Sequence, residues 1–449
     1  MTFVPIYILI LGVTIVVDYF AGILIETQKG KKRKLFLIVS LIANIGVLAI
    51  FKYYNFINEN LTLLLKGLHI DNQLPYLTIL LPIGLSFHTF QAMSYTIEVY
   101  RGNQKAERHF GIYSLYVMFY PQLVAGPIER PQNLLYQFRK HHNFDYQRIV
   151  DGLKLMAWGL FKKVVIADQL SLVVNNVYDQ PKQYHGLNFL IATVFFAFQI
   201  FCDFSGYTDI ALGAAKVMGF KLMKNFNSPY HAKSISEFWS RWHISLSTWF
   251  KDYLYIPLGG SRVSVPRWYF NLFFVFLISG LWHGANWTYI IWGALNGFYL
   301  IFALISQKIR AKVVALLGLN KIPVIYNKVQ VLITFILVDI AWVFFRAHTV
   351  SDAFYILKSI CTTTGSDLVQ LMHNKELLGE LTPSISMLGK GIALILLLEI
   401  VHTIQKRVNI IEHINAKPWP VRWGVYYIFV FILLYMSTTT HAQFIYFQF

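Results

Sequence analysis

Apolar residues run in long blocks along this chain, separated by short polar or basic stretches. The blocks cover roughly 4–24, 35–56, 76–99, 111–127, 151–170, 188–206, 236–258, 268–282, 287–305, 329–347, 386–404 and 421–440. Most approach the roughly 20 residues a helix needs to cross the hydrocarbon layer of a bilayer. The pattern predicts an all-α polytopic membrane protein of about ten to twelve membrane segments, organised as a single domain over 1–449. Several blocks are short or carry Gly, Pro and polar residues. Broken segments survive at membrane depth only inside protein or beside a wet cavity. The stretches Pro121–Pro131 and Phe204–Pro257 are expected to be interior segments of that kind. No internal repeat is visible, so the inverted-repeat signature of many transporters is missing.

Composition agrees. Of 449 residues, 56% are hydrophobic and only 14% charged, against about 25% charged in a soluble domain. Mean hydropathy is +0.49. The net charge of +17 does not point to nucleic acid, because the basic residues sit in short loops between apolar blocks. That distribution suits the positive-inside rule and anionic headgroups. Lys29, Lys31, Lys32, Arg33 and Lys34 place the first loop in the cytoplasm, as do Arg139 and Lys140, Lys308, Arg310 and Lys312, and Lys406 and Arg407 for later loops. The more mixed loops near 57–75, 171–187 and 350–384 then face outward, and the tail Phe444–Phe449 lies near the outer face. Cys202 and Cys361 form no CxxC pair, so neither a zinc site nor a disulfide framework is expected. The first apolar stretch has no basic residue before it and reads as a retained span.

Candidate chemistry stands out against this background. His283 lies in an otherwise apolar run, and His243 follows Arg241 and Trp242. An imidazole in the hydrocarbon layer is costly and usually faces a cavity or polar path. It is also the side chain best matched to moving a proton near neutral pH. The bland alternative is a packed histidine bonded to a neighbouring helix. Asp203 and Asp209 need partners or protonation in such a setting, and orienting a re-entrant segment is their plainer role. Glu237 and Arg241, four apart, share a helix face as an ion pair, or Arg241 holds an anionic donor or intermediate. Acyl transfer makes sense of the set. A hydroxyl acceptor needs a base, and a thioester carbonyl becoming an oxyanion needs a donor, for which Trp282 and Asn286 flank His283. No G-x-S-x-G elbow, P-loop or dinucleotide fingerprint is present.

The chain resembles the membrane-bound O-acyltransferase family, in particular the bacterial branch that O-acetylates alginate and peptidoglycan. The stretches that carry the resemblance are LPIGLSFHTFQ at Leu81–Gln91, YPQLVAGPI at Tyr120–Ile128, GLFKKV at Gly159–Val164, DFSGYTD at Asp203–Asp209, RWHISLS at Arg241–Ser247, LWHGA at Leu281–Ala285 and the tail FIYFQF at Phe444–Phe449. The resemblance implies a helical bowl with re-entrant segments around a central tunnel, a catalytic core at about 81–300, and His283 as the catalytic base with His243 beside it. It implies that an acyl group, most simply acetyl from acetyl-CoA as co-substrate with no bound cofactor, crosses the bacterial inner membrane to a cell-envelope polysaccharide. An extracytoplasmic SGNH-type transferase is the implied partner. Tyr446 becomes a possible acyl acceptor or relay, although an aromatic belt at the membrane interface is the plainer reading of the tail.

Two departures go with the resemblance. A first apolar segment common in that branch is missing at the N-terminus, so the chain start is expected to be misassigned or the fold slightly smaller. Asn296 stands where a histidine is expected. The alternatives are D-alanyl transfer to teichoic acid, long-chain acyl transfer to a lipid, and a proton-coupled transporter. For other residues the readings are structural. His88 packs between helices, Arg346 snorkels to the interface, and Gly126-Pro127 is a turn.

Overall fold

The computed structural model describes residues 7–78, 82, 84–373, 385–437 and 444–445. Among them the chain is helical throughout, without strands. The first unit comprises α1 (Tyr7–Thr27), α2 (Gly30–Leu48), a π-helical turn at Ala49–Tyr53, α3 (Tyr54–Gly67) and α4 (Leu85–Arg101), with α1, α2 and α4 packed on one another. Short α5 (Phe110–Val117) and α6 (Pro131–Leu134) lead to α7 (Tyr146–Phe161), a second π-helical turn at Lys162–Ala167, α8 (Asp168–Asp179) and the 33-residue α9 (Gly186–Met218). Then come α10 (Ile235–Arg241), α11 (Ile244–Phe250), α12 (Val265–His283), α13 (Trp287–Ile305), α14 (Gln307–Leu316), α15 (Pro323–Arg346), α16 (Val350–His373), α17 (Ile385–Gln405), α18 (Ile410–Asn415) and α19 (Trp419–Met436).

Eight helices among the described residues are long and apolar enough to cross a membrane, and the continuous run Gly30–Gly67 counts as one of them. The centre is α9, 83% of whose apolar stretch is buried, whereas that of α19 is wholly on the periphery at 0%. Helices α7, α8, α15 and α16 pack along α9. The contact with α7 is close because glycines face each other. A Cβ at Gly159 would lie 2.5 Å from the Gly206 carbonyl, and one at Gly213 would lie 2.5 Å from the Gly152 carbonyl. Small residues are what let helix backbones approach inside a bilayer. The α12–α13 hairpin is drawn together in the same way, and a Cβ at Gly280 would fall 3.1 Å from the Gly293 Cα.

Four of the twelve apolar blocks do not become a long span. The block at 76–99 yields α4, whose buried face includes Gln91, Ser94, Thr96 and Glu98, so it is an interior helix. The block at 111–127 gives an eight-residue helix and then an irregular stretch, as its Gly and Pro predict. The block at 151–170 is divided by the second π-helical turn. The block at 236–258 breaks at His243, which takes a left-handed conformation (φ 45°) between α10 and α11. The expected interior break from Phe204 onward starts later, because α9 continues through Asp203–Asp209 and stops at Gly219 (φ +93°).

Candidate active site

His283 is the last residue of α12. Gly284 is extended, and the side-chain oxygen of Asn286 caps α13 by accepting from the Thr288 N–H at 3.0 Å. The chain thus reverses in three residues, and the imidazole points into the protein, 4% exposed. Its ring meets the edges of Trp282, Trp292 and Phe345 at centroid distances of 4.9, 5.0 and 5.4 Å. His243 is 1% exposed. Its ring stacks on Phe87 at 5.9 Å, lies edge-on to Phe204 at 4.7 Å and is 6.5 Å from the Trp282 ring. The Trp282 ring therefore lies beside both histidines in one buried aromatic cluster.

The hydrogen bonds favour one tautomer of His243. Its Nδ1 lies 3.2 Å from Oδ1 of Asn225. That same Oδ1 accepts from the backbone N–H of Ser245 at 3.2 Å and from its hydroxyl at 2.9 Å. A backbone N–H only donates, so the Asn225 atom is the carbonyl oxygen, which favours the His243 tautomer with its proton on Nδ1, although the Ser245 hydroxyl also lies 3.4 Å from that nitrogen. The Nε2 atom is then left with its lone pair, and it has no hydrogen-bond partner among the described residues. The indole N–H of Trp282 is likewise buried without a partner. Buried polar groups are nearly always satisfied, so an open acceptor and an open donor close together make this cluster the candidate site.

The remaining expected site residues are placed as follows. Asn286 donates to the His348 carbonyl at 3.3 Å and its oxygen is the cap of α13, so both its polar atoms are engaged outside the cluster. Of the two proposed oxyanion donors, Trp282 alone keeps an open N–H. Arg241 pairs with Glu237 at 2.5 Å, the i,i+4 pair expected from spacing. Burial pushes the Glu237 carboxyl up, but the Lys233 N–H and Arg241 outweigh it and hold the group below the usual glutamate range. Asp203 pairs with Lys163 at 2.8 Å and accepts from the backbone N–H of Ile445 at 2.7 Å. Asp209 pairs with Lys162 at 2.8 Å, and that lysine also donates to Ser205 at 2.9 Å. Both carboxylates are thus structural ties between the second π-helical turn, α9 and the tail. Phe444 and Ile445 are buried rather than interfacial. Tyr446 lies outside the described residues.

Among the residues given structural readings, His88 meets the Thr14 hydroxyl at 3.0 Å and packs α1 to α4. Arg346, at the end of α15, donates to Asn175 at 2.9 Å and to the half-exposed Asp179 at 2.8 Å. Asn296 accepts from the indole N–H of Trp239 at 3.2 Å and donates to the Trp292 carbonyl at 2.8 Å, bracing one side of the cluster. Three residues of interest escape sequence reasoning. Asn225 is 18 positions from His243 and looks like any loop asparagine. Gln122 is 2% exposed with neither amide atom hydrogen-bonded among the described residues. Lys52 donates to the carbonyls of Trp282 and His283 at 2.7 and 2.9 Å, and a lone lysine inside the block 35–56 was its available signal.

Residues 107–345 match the model of MBOAT, the membrane-bound O-acyltransferase family, a span that contains both histidines and the whole of α9. The chain belongs to this family. It is 40% identical over 357 residues to the probable alginate O-acetylase AlgI of Pseudomonas aeruginosa, covering 79% of this chain and 65% of that protein. It is 37% identical over 396 residues to the peptidoglycan O-acetyltransferase of Helicobacter pylori, covering 81% of this chain and 72% of that protein. A more distant relative is the teichoic acid D-alanyltransferase of Streptococcus thermophilus, 29% identical over 245 residues, 49% of this chain and 56% of that protein. The chain therefore spans just under two thirds of the length of its alginate relative.

Proposed function

We propose that the protein is a membrane O-acetyltransferase that takes an acetyl group from a cytoplasmic thioester, acetyl-CoA being the simplest donor, and delivers it for O-acetylation of a cell-envelope polysaccharide such as alginate or peptidoglycan. The observation that carries this reading is the buried aromatic cluster in which His283 and His243 flank Trp282, with an open acceptor on His243 Nε2 and an open N–H on Trp282. His283 takes the proton of the accepting hydroxyl as general base. The oxygen then attacks the thioester carbonyl, the Trp282 N–H stabilises the oxyanion, and the C–S bond breaks to release the thiol with the proton. His243, its tautomer favoured by Asn225, provides a second acceptor for the proton's path.

The relatives' names point the acceptor towards polysaccharide hydroxyls. We place the protein in the bacterial inner membrane, passing acetyl to an extracytoplasmic SGNH-type transferase, with Tyr446 as the relay. The D-alanyltransferase relative supports a second reading in which the donor is a carrier-bound aminoacyl thioester. The test is purified protein in detergent offered labelled acetyl-CoA or a D-alanyl carrier thioester in separate reactions. Free CoA from the first and no thiol from the second supports O-acetylation. The reverse selects the second reading, and no consumption of either thioester overturns both. Retention of full activity by Tyr446→Phe removes the relay.

A further inference from the structure

We propose that Lys52, together with Tyr53, is a positioning residue for His283, closing the open end of α12 and fixing where its imidazole stands. The proposal rests on His283 being the reacting histidine. The last carbonyls of any helix lack intrahelical partners. At the end of α12 these include the carbonyls of Leu281, Trp282 and His283. All three are met by the π-helical turn at Ala49–Tyr53. The Tyr53 hydroxyl donates to Leu281 at 2.9 Å, and the Lys52 ammonium donates to Trp282 at 2.7 Å and to His283 at 2.9 Å. The ammonium also lies 5.9 Å from the centroid of the Trp282 ring.

A lysine inside a candidate span is expensive and calls for a reason. Among the described residues no carboxylate pairs with Lys52, so the ammonium is not half of a salt bridge. Its charge instead faces the negative end of the α12 dipole. The π-helical turn makes this geometry possible, because its wider turn brings Lys52 and Tyr53, neighbours in sequence, onto one helix end. Turns of this type concentrate at functional sites. Two residues from α12's partner unit therefore set the register of the helix terminus that carries His283 and the open indole N–H of Trp282.

The test combines steady-state kinetics on the full chain with hydrogen–deuterium exchange of the same preparations. Lys52→Met is expected to lower kcat about 100-fold, the scale of a displaced catalytic group. KM for acetyl-CoA should stay within about twofold, and Lys52→Arg should recover part of the loss. Peptides covering 280–286 should exchange faster while those of α9 do not change. An unchanged kcat, or unchanged exchange at 280–286, overturns the proposal, as does faster exchange everywhere, which indicates a general fold defect. Should Lys52→Met fail to fold, Tyr53→Phe decides the matter: a kcat lower by about tenfold supports the proposal and a wild-type kcat overturns it. Absence of thioester turnover in the wild type defeats the acyl-transfer reading, and the exchange at 280–286 then decides the role of Lys52 alone.

Discussion

Two buried polar regions of this molecule are built on opposite rules. Around the second π-helical turn, every charge has a partner. Lys163 pairs with Asp168 and Asp203, Lys162 pairs with Asp209 and Ser205, and Asp203 also holds the Ile445 N–H. Around His283 and His243 the surroundings are aromatic, and polar atoms are left open on His243 and Trp282 among the described residues. A satisfied network rigidifies, whereas an unsatisfied buried group costs free energy that no fold requires. The contrast is between ties and open groups: Asp203 and Asp209 are paired, as their plainer reading expects, whereas the aromatic surroundings of the histidines hold an open acceptor and an open donor.

The largest stability effect is expected at the anchor. Asp203→Leu leaves the half-buried Lys163 with Asp168 alone and frees the Ile445 N–H. Removing one member of a buried pair costs about 3 kcal/mol or more, so thermal unfolding in detergent should drop by several degrees. An unchanged melting temperature would remove the distinction between the two regions. The opposite sign is expected at Gln122. Gln122→Met replaces an unsatisfied amide by an apolar side chain of similar size, which should raise stability by about 1–3 kcal/mol. A fall in melting temperature would show that the amide is satisfied in the folded protein. The smallest effect belongs to Glu237, which lies outside the eight candidate spans and whose pair with Arg241 is partly exposed. Its carboxyl is held below the usual range, so the ion pair contributes stability above the ordinary glutamate pKa of about 4.3 and loses it as the pH falls through the lower folded value. Glu237→Gln should cost less than about 1 kcal/mol at pH 7, and melting curves of the two proteins should converge as the pH drops below about 4.

Much of this was legible in the sequence, and the reason is local. Block length and hydropathy give helices in a bilayer because the membrane imposes both. The i,i+4 spacing gives the Glu237–Arg241 pair because one helix turn sets it. An imidazole in an apolar run singles out His283 and His243 as candidates because such residues are expensive, and the structure brings both beside Trp282. What depends on chain segments meeting from afar was not legible. Lys52 reaches residues 230 and 231 positions away, and Asp203 reaches Ile445 across 242. No periodicity predicts those meetings, so neither the tie from Asp203 to Ile445 nor that from Lys52 to the end of α12 is visible in the sequence. The end of α9 was also missed, since Ser205, Thr208 and Asp209 look like a break although their helix continues unbroken to Met218. Polar side chains are tolerated there because lysines and glycines of α7 and the adjoining π-helical turn cover them.

The most direct test of the central claim is transfer of labelled acetyl from acetyl-CoA to a hydroxyl acceptor by the protein in proteoliposomes, comparing wild type with His283→Gln. Ester formation by the wild type, with the variant slower by a factor of about 10²–10⁴ at an unchanged melting temperature, is the predicted result. A folded His283→Gln protein that transfers acetyl at the wild-type rate would contradict the account.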